Sequence, residues 1–559
     1  MMKLFPFCLA LLLSAFGFCA LTAAQETIRM TDVTEGSGID FKHFDGSADE
    51  FFIMESLSAG LALFDYDLDG DDDIYLLNGA SLEPLKGNTP KTKSDHHNAL
   101  YRNEGEFRFT DVTQESGLGD TGFGLGVAVG DYDNDGLPDV FVNNGGANSF
   151  YRNQGDGTFT QATLPASQSE RRIGAGASFL DIDADGDLDL FVANYIREDF
   201  ANHKIHYFKG LPDYPSPLSL QPDKDQLLEN LGDGRFQDIS ESSGIASVAG
   251  RSMGVLTFDY GEDGDIDILV ANDSEQNFLY ENTGKNQFQE SSLIAGLAYD
   301  YKAKPQASMG IELLDLDRDL KLDVFATSFS REFAVFYRND DFGFFSDRTL
   351  QTGSSQSTFS DVTWGVVASD FDNDGATDVF VAAGDLDEQN SSRGGIGSSG
   401  YLAQNFMLQG SADGKLRDLK DQWGTAAAAR ASSRGAATAD FDMNGRQDLL
   451  ILNSRQSPQL IRNESKGQSF IQVRLVGTSS NRDGLGAMVT VTQDGVSQRM
   501  QSRSGHSYQS ESSHVLHFGL PSSEDDVTVK VQWLGSTALT EKVFAPGRRV
   551  TLLQPAAAQ

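Results

Sequence analysis

Short apolar runs recur along most of the chain, and a cluster of aspartates separates one run from the next. Runs such as GVAVGDY at 126–132 lead into a cluster, and runs such as DVFVNN at 139–144 follow it. Apolar and β-branched runs of this length, bounded by Asp, Asn and Gly, predict strands, so each cluster is predicted to be a loop between two strands. The pattern predicts an all-β protein built from one repeated unit.

A second shared element lies between successive clusters. The stretches LYRNEGEFRFTDVT at 100–113 and FYRNQGDGTFT at 150–160 place two short strands around a turn rich in Gly, Asn and Asp, which predicts a hairpin. One repeat then has four strands, and the cluster occurs seven times. Residues 25–465 are therefore predicted to form a seven-bladed β-propeller.

The two ends of this region are predicted to meet. TDVTEGSGI at 31–39 matches TDVTQESGL at 110–118, which ends a repeat, whereas the seventh repeat stops near Glu464. The N-terminal strand is expected to supply the missing outer strand of the last blade, because this removes an open sheet edge.

Each cluster has the spacing Asp-x-Asp-x-Asp-Gly-x-x-Asp, which predicts a calcium site. Calcium binds six to eight oxygens, and carboxylates at positions 1, 3, 5 and 9, with a backbone carbonyl at position 7, converge on one point. Position 12, where an EF-hand has Glu, is Leu76 in the first copy and Val142 in the second, and a strand follows each loop. These loops are therefore not EF-hands, and up to seven calcium ions are predicted.

The predicted ligands share positions 1, 3, 5, 7 and 9 of the motif. They are Asp65, Asp67, Asp69, Asp71 and Asp73; Asp131, Asp133, Asp135, Leu137 and Asp139; Asp181, Asp183, Asp185, Asp187 and Asp189; Asp259, Asp263, Asp265 and Asp267; Asp315, Asp317, Asp319, Lys321 and Asp323; Asp370, Asp372, Asp374, Ala376 and Asp378; Asp440, Asp442, Asn444, Arg446 and Asp448. Two copies depart from the pattern, since Gly261 replaces a ligand in the fourth and Leu320 replaces the turn glycine in the fifth.

The net negative charge of the chain excludes one class of partner. It has 43 Lys and Arg against 82 Asp and Glu, a formal charge of −39, and 26 of these acids belong to the seven motifs. Such a surface repels nucleic acid, so no nucleic-acid partner is expected. The negative charge is in part a ligand set for cations.

The N-terminus has the pattern of a signal peptide. Lys3 precedes the apolar run at 4–21, and small residues offer a cleavage point before Gln25. The alternative is a membrane anchor, and no later stretch is apolar enough to cross a bilayer. Cys8 and Cys19 fall in this segment, so the mature chain is predicted to lack cysteine and disulfides. A secreted, periplasmic or cell-surface protein is expected.

From about residue 467 the pattern changes to short alternating runs separated by Gly or Asp turns. This predicts a small β-sandwich at 467–555, outside the ring. The aspartate repeats resemble FG-GAP repeats, also called VCBS repeats, and SFIQVRLVG with VTVKVQWLGS resembles the ASPIC/UnbV domain. Together they resemble bacterial relatives of cartilage acidic protein, which implies a secreted calcium-binding propeller whose molecular function is poorly defined.

Catalytic candidates are weak. The stretch GRSMG at 250–254 matches the hydrolase pattern GxSxG, but it occupies the frame that precedes a calcium loop and has no following helix. His203 and His206 lie in the insertion at 200–224 and suit either a ligand site or a solvated loop. No catalytic residue is predicted.

Three functions are weighed. The first is a non-catalytic, monomeric binding or adhesion protein that recognises an extracellular protein or glycan through insertions on one rim. The second is a polysaccharide lyase or hydrolase built on the propeller, and the third is a structural matrix component. The sequence does not identify the partner.

Overall fold

The computed structural model describes residues 28–47, 50–88, 96–165, 172–386, 388, 400–537 and 539–556. The predicted signal peptide at 1–24, with both cysteines, lies outside the described residues, as does nearly all of the Ser- and Gly-rich stretch at 390–400. Within the described ranges, no helix has the length and apolar character needed to span a bilayer.

The repeat region consists almost entirely of short strands. In chain order they are β1 (Met30–Asp32), β2 (Leu61–Phe64), β3 (Asp73–Leu76), β4 (Ala99–Asn103), β5 (Phe109–Asp111), β6 (Phe123–Gly130), β7 (Asp139–Gly145), β8 (Ser149–Asn153), β9 (Phe159–Gln161), β10 (Arg172–Leu180), β11 (Asp189–Arg197), β12 (His206–Phe208), β13 (Leu211–Asp213), β14 (Gln221–Pro222), β15 (Gln226–Asn230), β16 (Phe236–Asp238), β17 (Ser252–Phe258), β18 (Asp267–Glu275), β19 (Phe278–Asn282), β20 (Phe288–Glu290), β21 (Gln306–Ala307), β22 (Ile311–Leu314), β23 (Asp323–Ala326), β24 (Val335–Asn339), β25 (Phe345–Asp347), β26 (Thr363–Ser369), β27 (Asp378–Ala383), β28 (Phe406–Ser411), β29 (Lys415–Asp418), β30 (Ser433–Ala439), β31 (Asp448–Asn453) and β32 (Gln459–Asn463).

The C-terminal part adds seven strands, and the helices of the described residues are single turns. The strands are β33 (Ser469–Val476), β34 (Met488–Gln493), β35 (Val496–Gln501), β36 (Leu516–Leu520), β37 (Val527–Gln532), β38 (Leu539–Phe544) and β39 (Arg548–Leu553). The helices are α1 (Thr113–Ser116), α2 (Ser240–Ser243), α3 (Ser292–Ala295), α4 (Thr349–Thr352) and α5 (Ser355–Thr358), with 3-10 turns at Ile53–Ser56, Pro217–Ser219, Ile245–Ser247 and Thr425–Ala428.

Seven groups of four antiparallel strands with the same strand order can be followed through the described repeat region, and the second and third groups are joined into one sheet by the pairing of Ile173 with Gly145. From the innermost strand outward they are β2-β3-β4-β5, β6-β7-β8-β9, β10-β11-β15-β16, β17-β18-β19-β20, β22-β23-β24-β25, β26-β27-β28-β29 and β30-β31-β32-β1. Each innermost strand contacts the innermost strand of the next sheet, and β30 contacts β2, so the sheets close into a ring. The predicted all-β propeller fold is confirmed, and the number of seven blades stays a prediction.

The ring closes through the N-terminal segment. Strand β1 pairs with β32, with Met30 opposite Asn463, and is therefore the outer strand of the last sheet. The N–H of Phe109 donates to the carbonyl of Ser37 at 2.7 Å, and a Cβ on Gly38 would lie 2.2 Å from the carbonyl oxygen of Phe109. Only glycine permits this close approach between the N-terminal segment and the first blade.

The C-terminal strands form two sheets that share one core. The sheet orders are β36-β33-β39 and β35-β34-β37-β38. Side chains such as Val473 from the first sheet and Val529 from the second belong to the same buried cluster. This arrangement is a small β-sandwich, as the alternating runs predict.

The expectation that the C-terminal part lies outside the ring is wrong for one segment, residues 502–513, here named the centre loop. The N–H of Ile311 in β22 donates to the carbonyl of Ser507 at 2.9 Å, and Glu511 exchanges backbone hydrogen bonds with β2. The physical reason is that the innermost strands have unpaired backbone groups on their channel side. The centre loop satisfies several of these groups and fills the channel.

We predict that Tyr508→Ala destabilises the protein by about 3–5 kcal/mol, the usual cost of truncating a buried aromatic side chain. The Tyr508 side chain is fully buried, its hydroxyl donates to the carbonyl of Leu57 at 2.9 Å, and its ring contacts Trp364. Tyr301→Ala, at a side chain that is 44% exposed, is the control and should cost far less. Urea unfolding in saturating calcium measures both, and equal costs would contradict a structural role of the centre loop.

Candidate metal centres

The seven Asp loops share one backbone turn. In the first loop the N–H of Gly70 donates to Oδ2 of Asp65 at 3.2 Å, and the N–H of Asp71 donates to Oδ1 of Asp69 at 3.2 Å. The same two bonds recur in the other six loops. The residue at position 6 has a positive φ in every loop, 105° at Gly70, which explains the recurring glycine.

The fifth loop keeps this turn without glycine. Leu320 adopts a φ of 68°, a conformation that costs a non-glycine residue about 1–2 kcal/mol. Its N–H still donates to Asp315 at 3.1 Å. The substitution therefore strains the loop without preventing the convergence of its carboxylates.

A second left-handed residue occurs in every loop and was not predicted from the sequence. Position 4 has a φ between 52° and 61° in all seven copies, although none of these residues is glycine. They are Leu68, Asn134, Ala184, Glu262, Arg318, Asn373 and Met443. The backbone strain is repeated at each candidate site, where it shapes the loop so that its oxygens point inward.

The aspartate at position 9 connects each loop to the third strand of its blade. Asp73 is fully buried, its Oδ2 accepts the N–H of Tyr66 at 3.0 Å, and its Oδ1 accepts the N–H of Asn103 at 2.8 Å. The equivalent pair of bonds occurs in each of the other loops. Position 9 is thus an anchor of the turn as well as a predicted ligand.

A recurring asparagine joins neighbouring blades and was missed by the motif analysis. The Asn103 side chain donates to the carbonyl of Asp72 in its own loop at 3.2 Å and to the carbonyl of Phe441 in the preceding loop at 3.0 Å. Equivalent bonds to the preceding loop are made by Asn153, Asn230, Asn282 and Asn463. The Asn that recurs before the hairpin turn, replaced by Gly410 in the sixth copy, was the available sequence signal. These bonds link five of the loops to the loop that precedes each of them.

Carboxylate oxygens converge in several of the loops. Six groups of possible ligand atoms that lie within 4.8 Å of one another occur among the described residues, and five of them are Asp65, Asp67 and Asp73; Asp131, Asp133 and Asp139; Asp181, Asp183 and Asp189; Asp315, Asp317 and Asp319; Asp370, Asp372 and Asp374. Several Asp clusters therefore suit a metal ion. In the fourth loop, Gly261 supplies no carboxylate at position 3, as the sequence indicates.

Buried oxygens at positions 1 and 3 provide the test of fit to a cation. Oδ1 of Asp65, Asp181, Asp315 and Asp317 is shielded from solvent and accepts no hydrogen bond. A buried oxygen without a partner costs about 1–3 kcal/mol, and more when it is charged. A hard cation with oxygen ligands satisfies such atoms, so the residues present fit calcium.

The pKa values of the loop aspartates also favour a bound cation. Burial raises the pKa of Asp73 and Asp139 to about 9, and it raises the pKa of Asp131, Asp181 and Asp315 to about 7. Neighbouring carboxylates add to this effect, because like charges disfavour ionisation. Without a cation, the ionised loops are therefore unfavourable at neutral pH.

We predict that the pH dependence of stability reverses when calcium is removed. A raised pKa in the folded state means that the native protein binds more protons than the unfolded chain, whose Asp pKa is about 3.9. The calcium-free protein should therefore lose stability as the pH rises from about 5.5 to about 8. The calcium-loaded protein should gain stability over that range, because its ligands must be ionised. Thermal unfolding at both pH values measures this, and parallel trends would contradict it.

Arginine side chains neutralise the outer oxygens of two loops. Arg152 pairs with Asp133 at 2.6 Å and with Asp135 at 3.0 Å. Arg338 has the equivalent contacts to Asp317 and Asp319 in the fifth loop, at 2.8 and 2.7 Å. These oxygens are Oδ2 atoms, and Oδ1 of Asp133 and Asp317 remains without a partner. The ion pairs therefore orient the carboxylates and leave their inner oxygens open.

The C-terminal sandwich covers the face of the ring that carries the Asp loops. It contacts position 1 of three loops. Arg474 Nη1 donates to Oδ2 of Asp65 at 3.3 Å, and Gln472 Nε2 donates to Oδ2 of Asp440 at 2.8 Å. The N–H of Asp131 donates to Oδ2 of Asp483 at 2.8 Å. The described parts of the long connections, residues 77–88, 198–225 and 384–386, leave from the ends of second strands on the opposite face. The sandwich therefore covers one face of the ring, whereas the long connections leave from the other.

The other candidate residues lie apart from the Asp loops. Ser252 is in β17, is fully buried, and donates to Oδ2 of Asp225 at 3.0 Å, so it has none of the exposure of a nucleophile on a sharp turn. His203 stacks on Phe52 with a ring distance of 3.7 Å, whereas His206 lines a cavity. Neither histidine belongs to the five carboxylate groups named above.

Comparison with protein families agrees with these observations. Residues 65–142, 131–192, 259–326 and 315–381 match the FG-GAP-like repeat, and residues 477–559 match the ASPIC and UnbV domain. The chain therefore contains both elements, and the resemblance inferred from the motifs is confirmed.

Two relatives are called cartilage acidic protein 1. The protein from Xenopus tropicalis is 31% identical over 169 residues, which cover 28% of this chain and 25% of the relative. The protein from Mus musculus is 25% identical over 305 residues, which cover 53% of this chain and 44% of the relative. The matched segment thus spans less than half of either relative.

Sequence identity to the solved structures is lower than identity to these relatives. An Agrocybe aegerita lectin that recognises non-reducing terminal N-acetylglucosamine has a TM-score of 0.39 and 14% identity, with 74% of this chain and 86% of the lectin covered. YCF48 bound to a D1 peptide has a TM-score of 0.39 and 8% identity, with 79% of this chain and 99% of that chain covered.

Proposed function

We propose that this chain of FG-GAP-like repeats and an ASPIC and UnbV domain is a secreted, calcium-stabilised binding protein without catalytic activity. Up to seven calcium ions would be held by the Asp loops, through the carboxylates and position 7 carbonyls predicted above. The partner would be an extracellular protein or glycan. The domain boundaries are those predicted, residues 25–465 for the propeller and 467–555 for the sandwich.

The observation that carries the calcium proposal is the set of buried Oδ1 atoms without partners at positions 1 and 3. These atoms lie where the motif places metal ligands, and the backbone turn around them is the same in all seven loops. An acidic turn that served only solubility would expose its carboxylates to water. Calcium bound at such loops supplies positive charge and fixes the turns.

The binding role rests on the difference between the two faces of the ring. The C-terminal sandwich and the centre loop occupy the face and channel next to the Asp loops. The opposite face carries the long connections, which are the segments that vary most easily without disturbing the blades. A partner would therefore bind on this opposite face.

A matched pair of isosteric substitutions tests the calcium proposal. Asp181→Asn and Asp259→Asn both change position 1, and each native carboxylate accepts the N–H of its own turn glycine. We expect Asp181→Asn to release about one calcium ion per chain, because it disrupts a full ligand set. Asp259→Asn should change the calcium content less, because the fourth loop already lacks a carboxylate at Gly261.

Calcium content is measured by elemental analysis after gel filtration in buffer of fixed free calcium. Circular dichroism of the same samples shows whether each variant remains folded. Equal calcium content in the wild type and in Asp181→Asn would contradict the assignment of the third loop as a metal site.

A further inference from the structure

A cavity of about 650 Å³ lies on the face of the ring opposite the Asp loops. Its lining comes from the first residues of inner strands, such as Met253 and Trp364, and from the last residues of second strands, such as Tyr195 and Asp273. The Asp loops join the other ends of these strands. The volume is in the range of small-molecule sites in proteins, about 300–1,000 Å³.

The floor of the cavity is apolar. Leu57, Met253, Met309 and Trp364 line it and are all buried. Tyr508 of the centre loop packs against Trp364 with a ring distance of 5.1 Å. The centre loop therefore lies behind the floor of the cavity at Trp364.

A hairpin from the insertion at 200–224 forms one wall. Strands β12 and β13 pair with each other, and His206, Phe208 and Asp213 from them line the cavity. The Phe208 side chain is 46% exposed, although it is aromatic. The insertion at 200–224 thus forms one wall of the cavity, with the aromatic side chain of Phe208 on it.

Two carboxylates are held close together at the opposite wall. Oδ2 of Asp273 accepts the Tyr195 hydroxyl at 2.7 Å, and Oε2 of Glu332 accepts the N–H of Ala307 at 2.8 Å. Ala307 is the strand partner of Asp273, so both carboxylates lie beside the same residue. Ser328 also donates to Glu332, at 2.5 Å. Hydrogen bonds, including that from the Ser274 hydroxyl to Oδ1 of Asp273 at 2.9 Å, therefore hold two carboxylates beside the same residue, where the buried Arg251 guanidinium also acts on Asp273. Two like charges beside one residue favour the binding of a further cation near both.

The charge of the lining as a whole is negative. Asp213, Asp273, Glu332 and Asp385 line the cavity with Lys209 and Arg331, which gives four acids and two bases. Behind the lining, the buried Glu55 contacts the Tyr214 hydroxyl and has one oxygen without a hydrogen-bond partner, and the buried Arg434 guanidinium lies 4.1 Å from the centroid of the Trp364 ring, so that charged groups of both signs flank the floor. Aromatic and apolar surface beside negative charge is the combination that recognises organic cations.

We propose that this cavity binds a small organic cation, an ammonium group on an apolar or aromatic body. The ammonium group would sit beside Asp273 and Glu332, and the apolar body would contact the floor at Met253, Met309 and Trp364. This inference goes beyond the calcium-stabilised binding role proposed above, because it assigns a separate site to a separate class of ligand.

Three probes with the same phenyl body and different charge test the proposal. They are phenethylamine, 2-phenylethanol and 3-phenylpropionate, and titration calorimetry in saturating calcium gives their dissociation constants. We expect the amine to bind at least about tenfold more tightly than the alcohol, because charge-assisted hydrogen bonds are about twice as strong as neutral ones. The phenylpropionate should bind most weakly.

Isosteric variants locate the site. Asp273→Asn and Glu332→Gln should each weaken amine binding at least about tenfold and leave alcohol binding nearly unchanged, because only the charge is removed. Glu241→Gln is the matched control, since Glu241 is exposed, pairs with Lys224 and does not line the cavity. It should leave binding of all three probes unchanged.

Equal affinity for amine and alcohol, tightest binding of the phenylpropionate, or binding of none of the probes would overturn the proposal. Unchanged amine affinity in both Asp273→Asn and Glu332→Gln would overturn it as well. Calcium content and thermal midpoint are measured on the same samples. A folded, calcium-loaded protein that fails to bind the amine refutes this inference alone, whereas loss of calcium binding refutes the proposed function.

Discussion

Removal of calcium is expected to lower the midpoint of thermal unfolding by about 10 °C or more. A ligand that binds only the folded state at one hundred times its dissociation constant adds about 2.7 kcal/mol per site. Several converging groups of carboxylates, such as the five named above, would together contribute on the order of 10 kcal/mol, which is comparable to the whole stability of a typical domain. Without the ion, buried carboxylates repel one another in each loop.

Differential scanning calorimetry with millimolar calcium and with excess chelator measures this effect. Magnesium is the control, because it demands near-ideal octahedral geometry and gives up its water reluctantly, so it should restore much less of the midpoint. An unchanged midpoint in chelator would show that the loops are acidic turns and would end the calcium proposal.

Deletion of the N-terminal strand is expected to have the second-largest effect. A chain that starts at residue 41 loses Ile28 and Met30, both fully buried, and exposes the edge of β32. Burial of two such side chains contributes about 3–6 kcal/mol, before the lost backbone bonds are counted. The last blade should open, and the exposed edge should promote aggregation.

A chain that starts at residue 26 is the control, because it keeps every described residue. Both proteins are compared by urea unfolding and by light scattering on heating. If the chain that starts at residue 41 unfolds at the same urea concentration and remains monomeric, β1 does not hold the ring closed.

The repeated unit was predictable because local chemistry specifies it. Calcium chelation needs oxygens at fixed spacing in a tight turn, and the apolar runs on either side need only the period of a strand. The match of 31–39 to 110–118 likewise indicated a strand displaced in sequence, and β1 lies at the outer edge of the last sheet. These features depend on short segments, so they can be recognised without coordinates.

Long-range contacts limited the prediction in three places. The link from Asn103 to Phe441 joins residues far apart in sequence, and the centre loop enters the ring although its sequence is that of an ordinary polar connection. The cavity combines residues of several blades with a hairpin of the insertion. Each of these depends on which segments become neighbours after the ring closes.

The all-β repeat, the ligand spacing of the Asp loops and the partition into repeats and a C-terminal sandwich follow from residue type and from spacing within a few turns of chain. The closed ring, in contrast, places the sandwich over the Asp loops, packs Tyr508 against Trp364, and puts Asp273 and Glu332 on one wall of the cavity. The physical reason is that unpaired inner-strand backbone groups and buried surface are satisfied by whichever segment the closed ring brings to them.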